Sequence, residues 1–117
     1  VACLFWLVAA GELEGVVVST TVTTFHYRVS KDVGRRLAEK HVRDLLAMFD
    51  VACVERETFE KVLSLGFVDF EDAVLNEAAR AAGAAAIVTR DGKGFAGATL
   101  PIFDPGELLA ALVAAYE

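Results

Sequence analysis

Two groups of oxygen-bearing side chains in this sequence have the types and spacing to do chemistry. Asp69, Glu71 and Asp72 open an alanine-rich segment, and Thr89 and Asp91 close the apolar run that begins at Ala85. Carboxylate and hydroxyl oxygens are hard donors, which suit Mg²⁺ or Mn²⁺ rather than zinc. Ligands of open parallel sheets collect beyond the carboxyl ends of the strands, so a strand ending in Thr-Arg-Asp marks a place for a site. Each residue also has a structural reading. Asp69 followed by Asp72 is an N-cap with an acid at N3, and Glu71 is a solvated first-turn carboxylate favoured by the helix dipole. Asp91 before Gly92 suits a turn, and Thr89 suits the end of a strand. Other chemistries lack their frames. His26 and His41 have no nucleophile elbow to serve, and Gly92, Gly94 and Gly97 follow a strand without the spacing of a phosphate loop.

The elements that must position these groups follow from periodicity and punctuation. Val1 to Ala10 is an apolar helical pattern ending at Gly11, and Val16 to Ser19 is a β-branched strand. Thr20 to Val29 carries strand-like Thr and Val, but Val22, Phe25 and Val29 fall at helical spacing, which favours helix. Ser30 is placed to N-cap a long helix with Val33, Leu37, His41, Leu45 and Met48 on one face. Val51 to Val54 reads as a strand and Glu57 to Ser64 as a short helix. A close-packing helix with Ala73, Leu75, Ala78, Ala79 and Ala82 runs from Asp69 to a stop at Gly83. Ala85 to Thr89 and Leu100 to Phe103 are strands, and Asp104-Pro105 caps a last helix from Gly106 onward. Strands alternating with helices, without hairpin signals, predict an α/β fold: a doubly wound parallel sheet in a three-layer α/β/α arrangement.

A chain of 117 residues makes one domain, 1–117. With 56% hydrophobic residues, 20 of them Ala, it is too apolar for disorder, and its longest uncharged stretch is too short for the ~20 residues of a membrane span. A soluble, cytoplasmic protein is expected, with Cys3 and Cys53 as reduced core thiols. The chain opens on Val1 within a helical pattern, which reads as a chain already under way. The net charge of -6 is unevenly spread: six basic residues against two acids between Arg28 and Arg43 give that stretch +4 and leave -10 elsewhere. On a helix, Arg36, Lys40 and Arg43 fall on one line, which suits a nucleic-acid backbone and equally an ordinary solvated face. Alanine-rich helix faces and exposed apolar residues predict a homodimer.

The stretch DFEDAVLNEAARAAGAAAIVTRDGKGF, followed by LPIFDPGELLAAL, resembles the C-terminal half of PIN-domain nucleases, the fold of VapC-type toxins. GELEGVVVSTTVTTFHYRV resembles the segment running from helix through the second strand into the next helix of that family. The resemblance implies a PIN-like fold and a Mg²⁺- or Mn²⁺-dependent ribonuclease. Asp72 and Asp91 fall on family metal-binding acids, and Thr89 on the hydroxyl that supports the cluster. It further implies RNA as substrate, a homodimer, and an antitoxin as partner. The family's leading Asp lies on a first strand with no counterpart after Val1, so that strand and the helix after it are expected to be missing. The family's acid after the second strand falls at Thr24, and another at Gly94. Two readings follow: a PIN-type ribonuclease, or a degenerate PIN-like domain serving as an RNA-binding or oligomerisation module.

Overall fold

Helix α1 (Ala2–Ala9) carries no charge on any face, and the chain turns through Gly11 at φ 81° into β1 (Val16–Val18), three consecutive valines. The computed structural model describes residues 2–66, 69–95 and 97–116, the side chains of Ala2, Cys3 and Tyr116 excepted. Gly15, just ahead of β1, lies under the Phe49 ring, which Phe5 holds edge-on at 5.8 Å between centroids; a Cβ at Gly15 would overlap that ring.

The threonine-rich segment is helical, as its apolar spacing predicts, in α2 (Ser19–Val33). Thr23 and Thr24 donate their hydroxyls to the Thr20 carbonyl at 3.0 and 3.3 Å, so their polar groups are satisfied within the helix. Ser30 is not an N-cap. It lies inside α2, with its hydroxyl 3.5 Å from His26 Nδ1, and the helix breaks four residues later at Gly34, whose φ of 85° is one that L side chains rarely adopt.

Helix α3 (Arg35–Met48) then folds back along α2. Its inward face differs from the expected one by about one residue step. Ala38 is fully buried and Val42, Leu45 and Phe49 half-buried, whereas Leu37, His41 and Met48 are exposed. Ala38, with no exposed surface, takes the inward position, and Leu37 beside it is 41% exposed.

Strand β2 (Asp50–Ala52) pairs in parallel with β1, Val16 opposite Asp50 and Val18 opposite Ala52. Ser19 Oγ accepts from Val54 N at 3.1 Å and ties the start of α2 to the chain leaving β2. Cys53 is exposed, against the expectation of a core thiol, because its neighbour Ala52 takes the inward position; Cys3's side chain lies outside the described residues. Helix α4 (Arg56–Leu63) starts with Thr58 Oγ1 accepting from Glu55 N at 3.2 Å.

Helix α5 (Phe70–Ala81) begins at the Asp69 cap and stops as expected at Gly83, whose φ is 79°. It supplies five of the ten buried residues among those described. Val18, Ala52 and Ala78 form one buried cluster; Val62, Ala73 and Val74 form a second, and Val54 joins both. Strand β3 (Ile87–Val88), a 3₁₀ turn at Lys93–Phe95, β4 (Ile102–Phe103) and α6 (Pro105–Tyr116) complete the chain. Asp104 Oδ1 accepts from Glu107 N at 2.7 Å while Glu107 Oε1 accepts from Asp104 N at 2.9 Å, a reciprocal cap ahead of α6.

The strands are parallel and alternate with helices, so the α/β class holds. Among the described residues they form two separate two-stranded ladders, β1–β2 and β3–β4, and no pairing joins them into the expected three-layer doubly wound sheet. Runs of two or three residues offer few rungs, and Val88 is 43% exposed rather than covered on both faces. The radius of gyration, 14.9 Å, exceeds the roughly 13 Å of a compact chain this long. Among the described residues no helix is long and apolar enough to cross a membrane.

One ion pair crosses between α4 and α5. The buried Glu77 carboxylate accepts from Arg80 Nε at 3.0 Å and from Arg80 Nη2, with Lys61 of α4 at 3.7 Å. The Arg80 hydrogen bond holds the Glu77 carboxyl below its ordinary value of 4.5, overcoming burial, which acts the other way. A lowered carboxyl pKa contributes stability that is present above the unfolded value and lost as pH falls through the folded one. Glu77→Gln is therefore expected to be less stable than the parent at pH 7, with the gap closing as pH drops below 4.5. Urea unfolding across pH 3 to 7, at about half-unit steps, checks this; a gap independent of pH would contradict it.

Candidate functional site

The acid cluster forms where the start of α5 meets the loop after β3. Asp69 adopts an extended backbone at the N-cap and its Oδ1 accepts from Asp72 N at 2.9 Å, so its capping role is realised. Asp72, two positions into the helix behind Phe70 and Glu71, is half-buried, while Asp69, Glu71 and Asp91 are exposed. The Asp72 carboxyl lies above its ordinary value of 3.8, first through burial and then through the like charges of Asp69, Glu71 and Asp91. Asp72 and Asp91, 19 positions apart in sequence, are thus close enough in space to repel.

Thr89 shapes the second half of the cluster. Its Oγ1 accepts from Asp91 N at 3.2 Å and lies 3.4 Å from the Asp91 carbonyl, while Asp91 Oδ1 accepts from Lys93 N at 3.3 Å. Thr89 therefore does more than end β3: it fixes the turn that presents Asp91. The next constraint is steric. A Cβ at Gly94 would overlap Asp72 Oδ2 and come within 2.8 Å of Asp72 Cγ. The Asp72 carboxylate fills the space a side chain at Gly94 would need, so an acid at that position and the present Asp72 rotamer are mutually exclusive. In sequence, Gly94 reads as part of a glycine-rich turn and, through the family resemblance, as a position where an acid is replaced.

Thr24 contributes no acid, and its hydroxyl is spent on the Thr20 carbonyl. Among the described residues no three His, Cys, Asp or Glu side chains stand together as a metal-holding group. Mg²⁺ keeps most of its waters and is held by one or two carboxylates, so the oxygens of Asp72 and Asp91 have the chemistry that such an ion takes. A cleft of about 450 Å³ lies elsewhere, lined by residues that include Cys53, Glu57, Lys61, Glu77 and Arg80 and none of the acids above. Its buried carboxylate is already committed to Arg80 and Lys61.

The basic line lies on α3. At 100° per residue, Arg36, Lys40 and Arg43 fall within about 60° of one another and face away from the buried side of Ala38, Val42 and Leu45. All three are exposed. Lys40 pairs with Asp44 at 3.2 Å and Arg35 with Glu39 at 3.7 Å; among the described residues no carboxylate reaches Arg36 or Arg43 within ion-pair distance.

A PIN-domain family model matches residues 1–93, which include Asp72, Thr89 and Asp91 and stop just short of Gly94. The chain belongs to the PIN-domain family. PIN domains are generally nucleases and typically depend on a divalent metal, and the cluster of this PIN domain has the hard-oxygen character that such an ion takes. No curated protein matches the chain.

The closeness of Gly94 to Asp72 generates a test independent of activity. Gly94→Ala is expected to fold, because the overlapped atom is the far end of a flexible side chain, and to swing the Asp72 carboxylate out of its present position. Carbon-detected NMR of the Asp72 carboxyl reads this directly. A shift confined to Asp72 and its neighbours is expected, and unchanged resonances would contradict the geometry.

Proposed function

We propose that this PIN domain is a metal-dependent ribonuclease. Asp72 and Asp91 would hold Mg²⁺ or Mn²⁺, Thr89 would set the Asp91 turn, and Arg36, Lys40 and Arg43 would carry the RNA backbone. The observation that supports the reading is the packing of the loop after β3, which carries Asp91, against the Asp72 carboxylate at Gly94. When bound, the ion neutralises the phosphodiester charge and makes a water more acidic. The reaction is hydrolysis: a water oxygen bonds to phosphorus, a P–O bond to the leaving ribose oxygen breaks, and a proton passes to that oxygen. The chain's own residues concentrate negative charge at one place and positive charge along α3, so the strand is gripped away from the carboxylates that repel it.

The proposal includes a further strand carrying an additional acid. Its support is that both two-stranded ladders leave open edges among the described residues, where a further strand would find backbone groups to pair with. It includes a second copy of the chain, and an antitoxin protein, as partners; large apolar side chains such as Trp6 (68% exposed) and Leu63 (74%) support a protein partner. A second reading, a non-cleaving RNA-binding or oligomerisation module, is favoured by the side-chain-free Gly94 and the inward-bonded Thr24.

Cleavage of single-stranded RNA with Mg²⁺ or Mn²⁺ tests the first reading. The parent is expected to cleave, EDTA to abolish cleavage, and Asp72→Asn or Asp91→Asn to reduce it by on the order of 100-fold or more, since even outer-shell changes cost 10–100-fold. A parent that binds RNA without cutting it selects the second reading. For the α3 line, Arg36→Ala, Lys40→Ala and Arg43→Ala together should weaken binding across sequences and flatten the salt dependence by about 0.7 for each phosphate no longer neutralised. An unchanged slope would make the line an ordinary solvated face.

A further inference from the structure

Asn76 is the largest side chain in the described core with essentially no exposure, and it is polar. Its Nδ2 reaches Thr99 Oγ1 at 3.5 Å, and its Oδ1 has no partner. Rotating the amide by 180° exchanges the two ends without curing the deficit, because Thr99 supplies one hydroxyl only. An unpaired buried polar group is costly, whereas an apolar side chain of similar size at the same place costs nothing of the kind. Such an exception among core residues calls for a role outside stability.

Its position supplies one. Asn76 follows Asp72 by four residues, so both lie on one side of α5, a single turn apart. Thr99 lies on the loop that leaves the Lys93–Phe95 turn, the same turn that sets Gly94 against the Asp72 carboxylate. That loop is held on α5 at two points. Gly94 meets Asp72 at the helix start, and Thr99 meets Asn76 one turn deeper, with Phe95 buried between them in sequence. Within it, Phe95 N donates to the Gly92 carbonyl at 3.1 Å and Ala98 N to the Phe95 carbonyl at 2.9 Å. The described part of the loop is therefore bonded within itself, and among the described residues its side-chain hydrogen bond to the helix is the Asn76–Thr99 pair.

We infer that Asn76 is a positioning residue for the acid site: with Thr99 it clamps the Lys93–Thr99 loop onto α5 and thereby fixes Gly94 against Asp72 and the turn that presents Asp91. This deepens the ribonuclease reading and rests on it for its functional consequence, while the clamp itself is a property of the fold. Asn76 touches no reacting atom. Its effect on chemistry runs through the loop.

The test uses amide hydrogen exchange of the whole chain, which needs neither RNA nor metal. Phe95 and Ala98 amides are expected to exchange about 3- to 10-fold faster in both Asn76→Leu and Thr99→Val, the factor one net hydrogen bond carries. Amides inside α5 should keep the parental rate. Thr99→Ser, which retains the hydroxyl, should restore slow exchange, a rescue that a purely steric role for Thr99 would not produce. Asn76→Leu should melt no lower than the parent, because it removes an unpaired amide from the core. If Asn76→Leu fails to fold, Thr99→Val decides, since Thr99 is exposed. Unchanged Phe95 and Ala98 exchange in Thr99→Val overturns the inference, as does Thr99→Ser behaving like Thr99→Val. In RNA cleavage, Asn76→Leu should lower kcat and leave KM for RNA unaltered, because the α3 line is untouched; a change in KM alone overturns the link to the site. A parent that does not cleave RNA removes the ribonuclease reading and leaves the exchange result to judge the clamp.

Discussion

Close approach to α5 is the constraint on which the rest of this structure depends. Two of its inward residues are alanines: Ala73 and Ala78 are buried almost completely, and Ala78 packs with Val18 of β1 and Ala52 of β2. A larger side chain at Ala78 would push the helix off the strand pair, and overpacking of this kind costs about 1–3 kcal/mol. On its other flank, Ala73 and Val74 accept Val62 of α4, and Glu77 receives Lys61 from the same helix. One helix of 12 residues thus holds a strand pair, a neighbouring helix and the loop after β3. The start of that helix carries Asp72, so the precision of the acid cluster is inherited from the alanine packing of the same helix.

Charge is organised around the same scaffold. Carboxylates gather at the N-terminal end of α5, where the helix dipole favours them, yet partial burial and then their mutual repulsion raise the Asp72 carboxyl from its ordinary value. Guanidinium and ammonium groups gather on the outward side of α3. Exposed charges are screened beyond about 8 Å at physiological ionic strength, so two patches of opposite sign can coexist on one small domain without cancelling. Under the ribonuclease proposal this separation lets the chain attract a polyanion with a net charge of -6.

The apolar surface is generous for a domain of this size. Trp6, Tyr27, Leu63 and Val113 are each more than half exposed, and helix α1 presents apolar residues to solvent as well as to Phe49. A helix hydrophobic on every side is ordinarily a buried one. The short ladders have the same character: each leaves an open edge, and neither buries both faces of its strands.

Local signals in the sequence determined most of the elements. Glycine at Gly83, the Asp69 cap with its acid at N3, and the Asp104 cap act over three or four residues, and all three form as read, Glu107 adding a return bond to the last. The juxtaposition of Asp72 with the Thr-Arg-Asp end of β3 was legible through its resemblance to a family. What depends on packing between distant segments was not legible. Which face of α3 turns inward, with Ala38 buried and Leu37 exposed, is a matter of packing that hydrophobic periodicity leaves open to within a residue step. Strand pairing into two ladders rather than one sheet depends on what lies beside each edge, which no local pattern encodes. Asn76 read as one polar residue in an alanine-rich helix, and Gly94 as one glycine among several. Only the fold, by laying the loop after β3 across the start of α5, buries the first with an unpaired oxygen and leaves the second no room for a side chain, because burial and steric exclusion are properties of neighbours in space.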